Sequence, residues 1–138
     1  MASDGVWILG IHMTKFGKHP DKDTVDLAAE ATMAALADAG MTMRDVGVLA
    51  AGNLMGGGLS IGQAIQKQVG QTGIPVYNVS NACATGATAL RTAIMAIKAG
   101  ETPVGLAVGV EKLAGAGLLA GGSRATEDDT YSPHGRYG

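Results

Sequence analysis

At 138 residues, with 46% apolar and 16% charged, the chain is long enough for one domain with a sizeable core and is not a disordered polypeptide. A formal charge of −2, with no basic run interleaved with aromatics, argues against a nucleic-acid surface. A single cysteine forms no internal disulfide and suits a reducing compartment, and no apolar stretch has signal-peptide or membrane-spanning length, so a cytoplasmic protein is expected. Aromatics are 4% while glycine numbers 22, so the core must come from Ala, Val, Leu, Ile and Met.

Val6–Ile11 is a short continuous apolar run and predicts a strand covered on both faces. His12–Asp23 is polar, with Gly17 and Pro20, and predicts a loop. Asp23 or Thr24 caps a helix running to Ala39, with the stripe Val25, Ala29, Thr32, Leu36 and Gly40 as its stop. Val46–Ala51 predicts a second strand. Ser60 with Gln63 then forms a capping box for a helix bearing Ile61, Ala64, Ile65 and Val69. Ile74–Val79 predicts a third strand leading into Cys83. Past the helix that follows, Val104–Val110 predicts a fourth. The order β-α-β-α-β-α-β makes this an α/β fold with a mostly parallel sheet, and no internal repeat is visible. Residues 1–112 form this unit. From 113 to 138 glycines, charges and a proline mix without a sustained period, as in an irregular excursion that continues beyond Gly138.

The stretch Asn78–Gly100 organises the rest. Between Ala84 and Ala99 only Arg91 and Lys98 carry charge, and they share one line on a helix. The remaining circumference is apolar or small, which predicts a helix buried on most sides. Cys83 stands where the strand gives way to this helix. Unpaired N–H groups and the positive end of the helix dipole there favour the anionic, nucleophilic form of a thiol. By position alone Cys83 is either that nucleophile or a buried structural cysteine.

Asn81-Ala82-Cys83-Ala84-Thr85-Gly86 resembles the nucleophile segment of the thiolase superfamily, most of all its sterol-carrier-protein type thiolases and their bacterial lipid-transfer relatives. Thr14-Lys15-Phe16-Gly17 is similar to the family's opening, Gly56-Gly57-Gly58 to its glycine-rich second crossover, and Gly109-Val110-Glu111-Lys112 to the close of its fourth strand. These segments come in family order as far as Lys112. The resemblance implies a layered thiolase-like fold of which this chain holds the N-terminal half, with a loop domain starting at 113. It implies that Cys83 is the catalytic residue of an acyltransferase, attacking an acyl-CoA and carrying the acyl group as a thioester. The Cys83 N–H would be one oxyanion donor, and Thr85 and Gly86 are the small residues wanted beside the nucleophile. No permanently bound cofactor and no metal is implied; coenzyme A enters as part of the substrate. A homodimer or larger assembly paired through Ile74–Val79 is implied as well.

Family thiolases add a second half bearing a histidine base, a second cysteine and further oxyanion donors, and none of these is in the sequence. Either the sequence is a fragment or a partner chain supplies them. The alternatives are a non-catalytic half-domain acting in assembly or acyl and lipid binding, or an aldolase-like relative acting on a CoA ester. Other constellations carry less. Gly115–Ala120 fits the dinucleotide pattern G-x-G-x-x-A but stands away from any strand-to-helix turn. His12, His19 and His134 lie in predicted loops without metal-ligand spacing, His134 alone being a candidate near a substrate channel. Glu127, Asp128 and Asp129 fit a solvated loop. Met33, Met41, Met43, Met55 and Met95 fit core filler.

Overall fold

The computed structural model describes residues 5–55 and 60–113. Helix α1, Thr24–Asp38, starts where Asp23 holds extended backbone and caps it. Asp23 Oδ1 accepts the Asp26 N–H at 2.8 Å, and Asp26 Oδ2 accepts the Asp23 N–H at 2.9 Å. The helix stops at Gly40 (φ +65°), whose left-handed backbone lets Gly40 N–H reach Ala37 O and Met41 N–H reach Leu36 O. Helix α3, Thr85–Lys98, ends the same way at Gly100 (φ +79°), with Glu101 N–H on Ala96 O. Between them lie β1, Val48–Gly52; α2, Ile61–Val69; and β2, Val76–Val79, and after α3 comes β3, Gly105–Gly109.

The N-cap pair makes a measurable prediction. The hydrogen bond from the Asp23 N–H, and then that from the Gln68 amide, hold the Asp26 carboxyl below the usual carboxylate value. A depressed folded value means that this stabilisation is full above the unfolded value of about 4 and is lost as the pH falls through the folded one. Asp23→Ala is expected to cost about 1 kcal/mol in denaturant titrations at neutral pH. Asp26→Asn should flatten the acid limb of stability against pH.

The sheet order is β2-β1-β3, all parallel. Alternation along the strands divides the side chains between two layers. Leu49, Ala51, Leu106 and Val108 join Ala28 and Leu36 of α1 and Ile61 and Ile65 of α2 in one core. Ala50 turns to the opposite face and meets Ala89 and Ala93 of α3. The two faces differ in kind: branched aliphatics fill the α1–α2 side, while small residues, Ala50, Ala89, Ala93 and the strand glycines, predominate on the α3 side, with Val48 and Val79 beside them.

Three sequence expectations need correction. Val6–Ile11 forms no strand; among the described residues nothing pairs with it, and Trp7 is 75% exposed and Ile8 71%. This segment instead crosses the end of α1, where Gly10 lies so close that a Cβ would stand 2.4 Å from Ala35 O, and Ile11 N–H donates to Asp38 at 2.9 Å. Ser60 makes no side-chain cap. Asn78, from β2, takes that role: its Oδ1 accepts the Gly62 N–H at 2.7 Å, while its Nδ2 donates to Gln63 at 2.8 Å. Finally, α3 is covered on one side only among the described residues. It buries Thr85, Ala89, Ala93 and Ala96, and leaves Leu90 and Met95 exposed, with Arg91 and Lys98 in solvent as the sequence predicts.

Candidate active site

Parallel strands bring their C-terminal ends to one rim, and the candidate residues stand beyond it. After Val79, β2 gives way to a 3-10 turn, Ala82–Ala84, that runs directly into α3. Cys83 is in this turn and is exposed, so within the described residues it is not a core residue. Ala82, just before it, has φ +45°, the left-handed region that an alanine seldom enters. The turn is held by side chains. Thr85 Oγ1 accepts the Asn81 N–H at 2.8 Å and donates to Ala82 O at 2.7 Å. Asn81 Nδ2 donates to Thr88 Oγ1 at 3.0 Å, and that hydroxyl donates to Ala84 O at 3.0 Å. Cys83 therefore rests on a closed, hydrogen-bonded pedestal.

The pedestal sits low because the strand ends lack side chains. A Cβ on Gly52 would stand 2.9 Å from Thr85 Cγ2 and 3.0 Å from Thr85 O. A Cβ on Gly109 would stand 3.1 Å from Gly86 Cα. Both strand-end glycines are needed for the helix start to approach the sheet this closely. Gly52→Ala is expected to lift the start of α3 and to destabilise by about 1–3 kcal/mol, the usual cost of overpacking. Denaturant unfolding would measure this, and alkylation of Cys83 would report the displacement.

The rim is tied together from β3. Glu111 Oε2 accepts the N–H groups of Leu54 (2.9 Å) and Met55 (3.2 Å), while Asn53 Nδ2 donates to Val110 O at 2.8 Å. Lys112 donates to the carbonyls of His19 (3.0 Å) and Lys22, fixing the loop before α1. A cavity of about 210 Å³ lies beside β3, lined among others by His12, Lys15, Phe16, Glu111 and Lys112. The Thr14–Gly17 and Gly109–Lys112 segments thus meet in space, and Thr85, two residues after Cys83, stands over the end of the neighbouring strand β1. Gly56-Gly57-Gly58, the Gly115–Ala120 pattern, Glu127–Asp129, His134 and the loop-domain start lie outside the described residues, Leu113 apart. Among the described residues no group of His, Cys, Asp and Glu fits a metal, and no helix is long and apolar enough to cross a membrane.

Of the positioning groups, the sequence does not single out Asn78, and it marks Thr85 and Glu111 only as members of their motifs. Asn78 and Glu111 reach backbone groups 16 and 56–57 positions away, whereas Thr85 bonds groups three and four residues before it. For Asn78 the available sign is a polar residue within an apolar strand, five positions before the cysteine.

Comparison with known proteins agrees with this arrangement. Residues 6–128 match the thiolase N-terminal domain. The chain belongs to the thiolase family. Among curated relatives, sterol carrier protein 2 of Gallus gallus is 40% identical over 124 residues, which is 88% of this chain and 22% of that protein. An acetyl-CoA acetyltransferase of Methanothermobacter thermautotrophicus is 39% identical over 113 residues, 78% of this chain and 29% of that protein. The chain therefore spans between about a fifth and three tenths of the length of these relatives. Among solved structures, a variant of OleA from Xanthomonas campestris superposes with a TM-score of 0.52 at 20% identity, covering 60% of this chain and 25% of that one. At that identity the likeness shows the fold alone, and the fold is the expected α/β arrangement with a parallel sheet.

Proposed function

We propose that the protein works in thiolase-type acyl transfer, with Cys83 as the residue that carries the acyl group. The observation that supports this most is the exposed thiol at the strand-end rim, on the turn that launches α3, in a chain of this family. Cys83 Sγ attacks the thioester carbonyl of an acyl-CoA, breaking its C–S bond and releasing coenzyme A, or the 3-keto carbonyl of a 3-oxoacyl-CoA, breaking the C2–C3 bond and releasing acetyl-CoA. The leaving group takes up the proton lost by the thiol, and a cysteine thioester remains. A second thiol, or a carbon nucleophile in the reverse direction, then takes the acyl group. The Cys83 N–H at the start of the helix is one donor to the oxyanion.

The histidine base, second cysteine and remaining oxyanion donors belong, on this proposal, to a further half, in the same polypeptide or in another chain. Residues 1–138 together with that half are the assembled enzyme. Dimer formation through the edge of β2 is part of the same proposal. Its support is the exposure of Tyr77 and Asn78 on an outer strand.

A second reading is favoured by the sterol-carrier name of the first relative: binding of acyl or lipid groups without turnover, with Cys83 inert. Mass spectrometry of the assembled enzyme after incubation with an acyl-CoA separates the two. The acyl group is expected on Cys83. An unmodified Cys83 in an enzyme that turns over would end the thiolase proposal, and binding without modification or turnover would favour the second.

A further inference from the structure

We propose that Thr85 is a positioning residue for Cys83, its hydroxyl holding the preceding peptide in the left-handed conformation that sets the thiol at the helix start. The inference rests on the acyl-transfer reading for its consequence and on the turn's geometry for its substance. Ala82 at φ +45° costs roughly 1–2 kcal/mol relative to an ordinary backbone conformation, so something must hold it there. The two Thr85 hydroxyl bonds bracket that residue, one to the N–H before it and one to its own carbonyl. The same carbonyl also takes the Thr85 backbone N–H, which closes the turn around Cys83.

Thr85 is itself anchored. It is 8% exposed, and its methyl stands over Gly52 at the end of β1, in the space a side chain there would occupy. The residue thus joins two functions in one side chain. The methyl refers the turn to the sheet, and the hydroxyl fixes the turn's conformation. Serine keeps the second and loses the first; valine does the reverse. Two intramolecular hydrogen bonds of ordinary strength correspond to roughly tenfold or more in the population of the conformation they hold.

The test uses the assembled enzyme and two probes of Cys83: alkylation by iodoacetamide, which needs no catalysis, and acylation by acetyl-CoA. Thr85→Val is expected to slow both by roughly tenfold or more. The acetyl-CoA concentration giving half-maximal acylation should stay unchanged, and the Asn81 amide should exchange faster with solvent. Thr85→Ser is expected to remain within about threefold of the parent rates, as a variant that keeps both bonds. Valine at the parent rates, or valine and serine equally slow, would overturn the proposal, since the hydroxyl would then not matter. If Thr85→Val does not fold, the comparison is made in an Ala82→Gly background, where the left-handed conformation carries little cost. There Thr85→Val should fold and lose less than tenfold, and failure to fold would overturn the proposal. A parent enzyme alkylated in the expected pattern but never acylated would uphold Thr85 and remove the acyl-transfer reading instead.

Discussion

Cys83→Ser in the assembled enzyme is expected to abolish the acyl-enzyme and to lower turnover by roughly 10⁴-fold or more, the scale on which loss of a nucleophile is felt. A hydroxyl is a far weaker nucleophile than a thiolate at neutral pH and would need a base to activate it. Among the described residues no side chain hydrogen-bonds the sulfur position, so none is placed to serve. The fold should be indifferent to the change, because Cys83 is exposed and the turn is held by Thr85, Asn81 and Thr88 rather than by the thiol. Unchanged circular dichroism and unfolding midpoint, with thiolysis of a 3-oxoacyl-CoA lost, is the expected pair of observations. Retained turnover would remove Cys83 from the mechanism.

Residues 1–138 alone are expected to show little or no turnover. Slow single acylation of an exposed cysteine at a helix start is chemically reasonable, but a cycle needs a base, an acid for the leaving group and a complete oxyanion site. General acid–base groups contribute roughly 10²–10⁴-fold each, and an oxyanion donor roughly 10²–10³-fold. His12 and His19 are in the loop before α1; both line the cavity beside β3, and His19 Nε2 lies 2.8 Å from Lys15 O. Neither is hydrogen-bonded to Cys83. Thiolysis assayed beside Cys83→Ser decides the matter: multiple turnovers in the first and none in the second would show that these residues suffice. The uncovered apolar side chains Leu90, Met95, Trp7 and Phe16 should also make the isolated chain prone to association, measurable by sedimentation.

Much of this architecture is legible in the sequence because its signals are local. Asp23 before an amphipathic run, Gly40 and Gly100 after theirs, and the short apolar runs at 46–51, 74–79 and 104–110 each mark an element to within about two residues. Cys83 between strand and helix is legible for the same reason. What failed depends on partners. An apolar run such as Val6–Ile11 signals a need for cover, but a strand also needs a neighbour to receive its hydrogen bonds, and none of the described strands pairs with it. Ser60 with Gln63 has the spacing of a capping box, yet Asn78, from a different element, reaches the helix start instead. The apolar circumference of α3 registers what the helix is built to meet, whereas the described residues cover one face. The role of Glu111 is invisible because it depends on backbone groups brought near only by folding, and that of Thr85 because its bonds to neighbours three and four residues away depend on the left-handed conformation of Ala82.

The contrast between the two faces of the sheet bears on how such a protein could be strengthened. On the α3 side, stability and the placement of Cys83 share the same contacts: Gly52, Gly105 and Gly109 against Thr85, Gly86 and Ala93. Added volume there is converted into displacement of Cys83. On the α1–α2 side, Leu49, Ile65, Leu106 and Val108 pack away from the thiol, and exchanges that conserve volume cost little. A saturation library should therefore yield stabilised, active variants almost wholly from the second face. The first should tolerate few residues larger than those it has, whatever they add to the core.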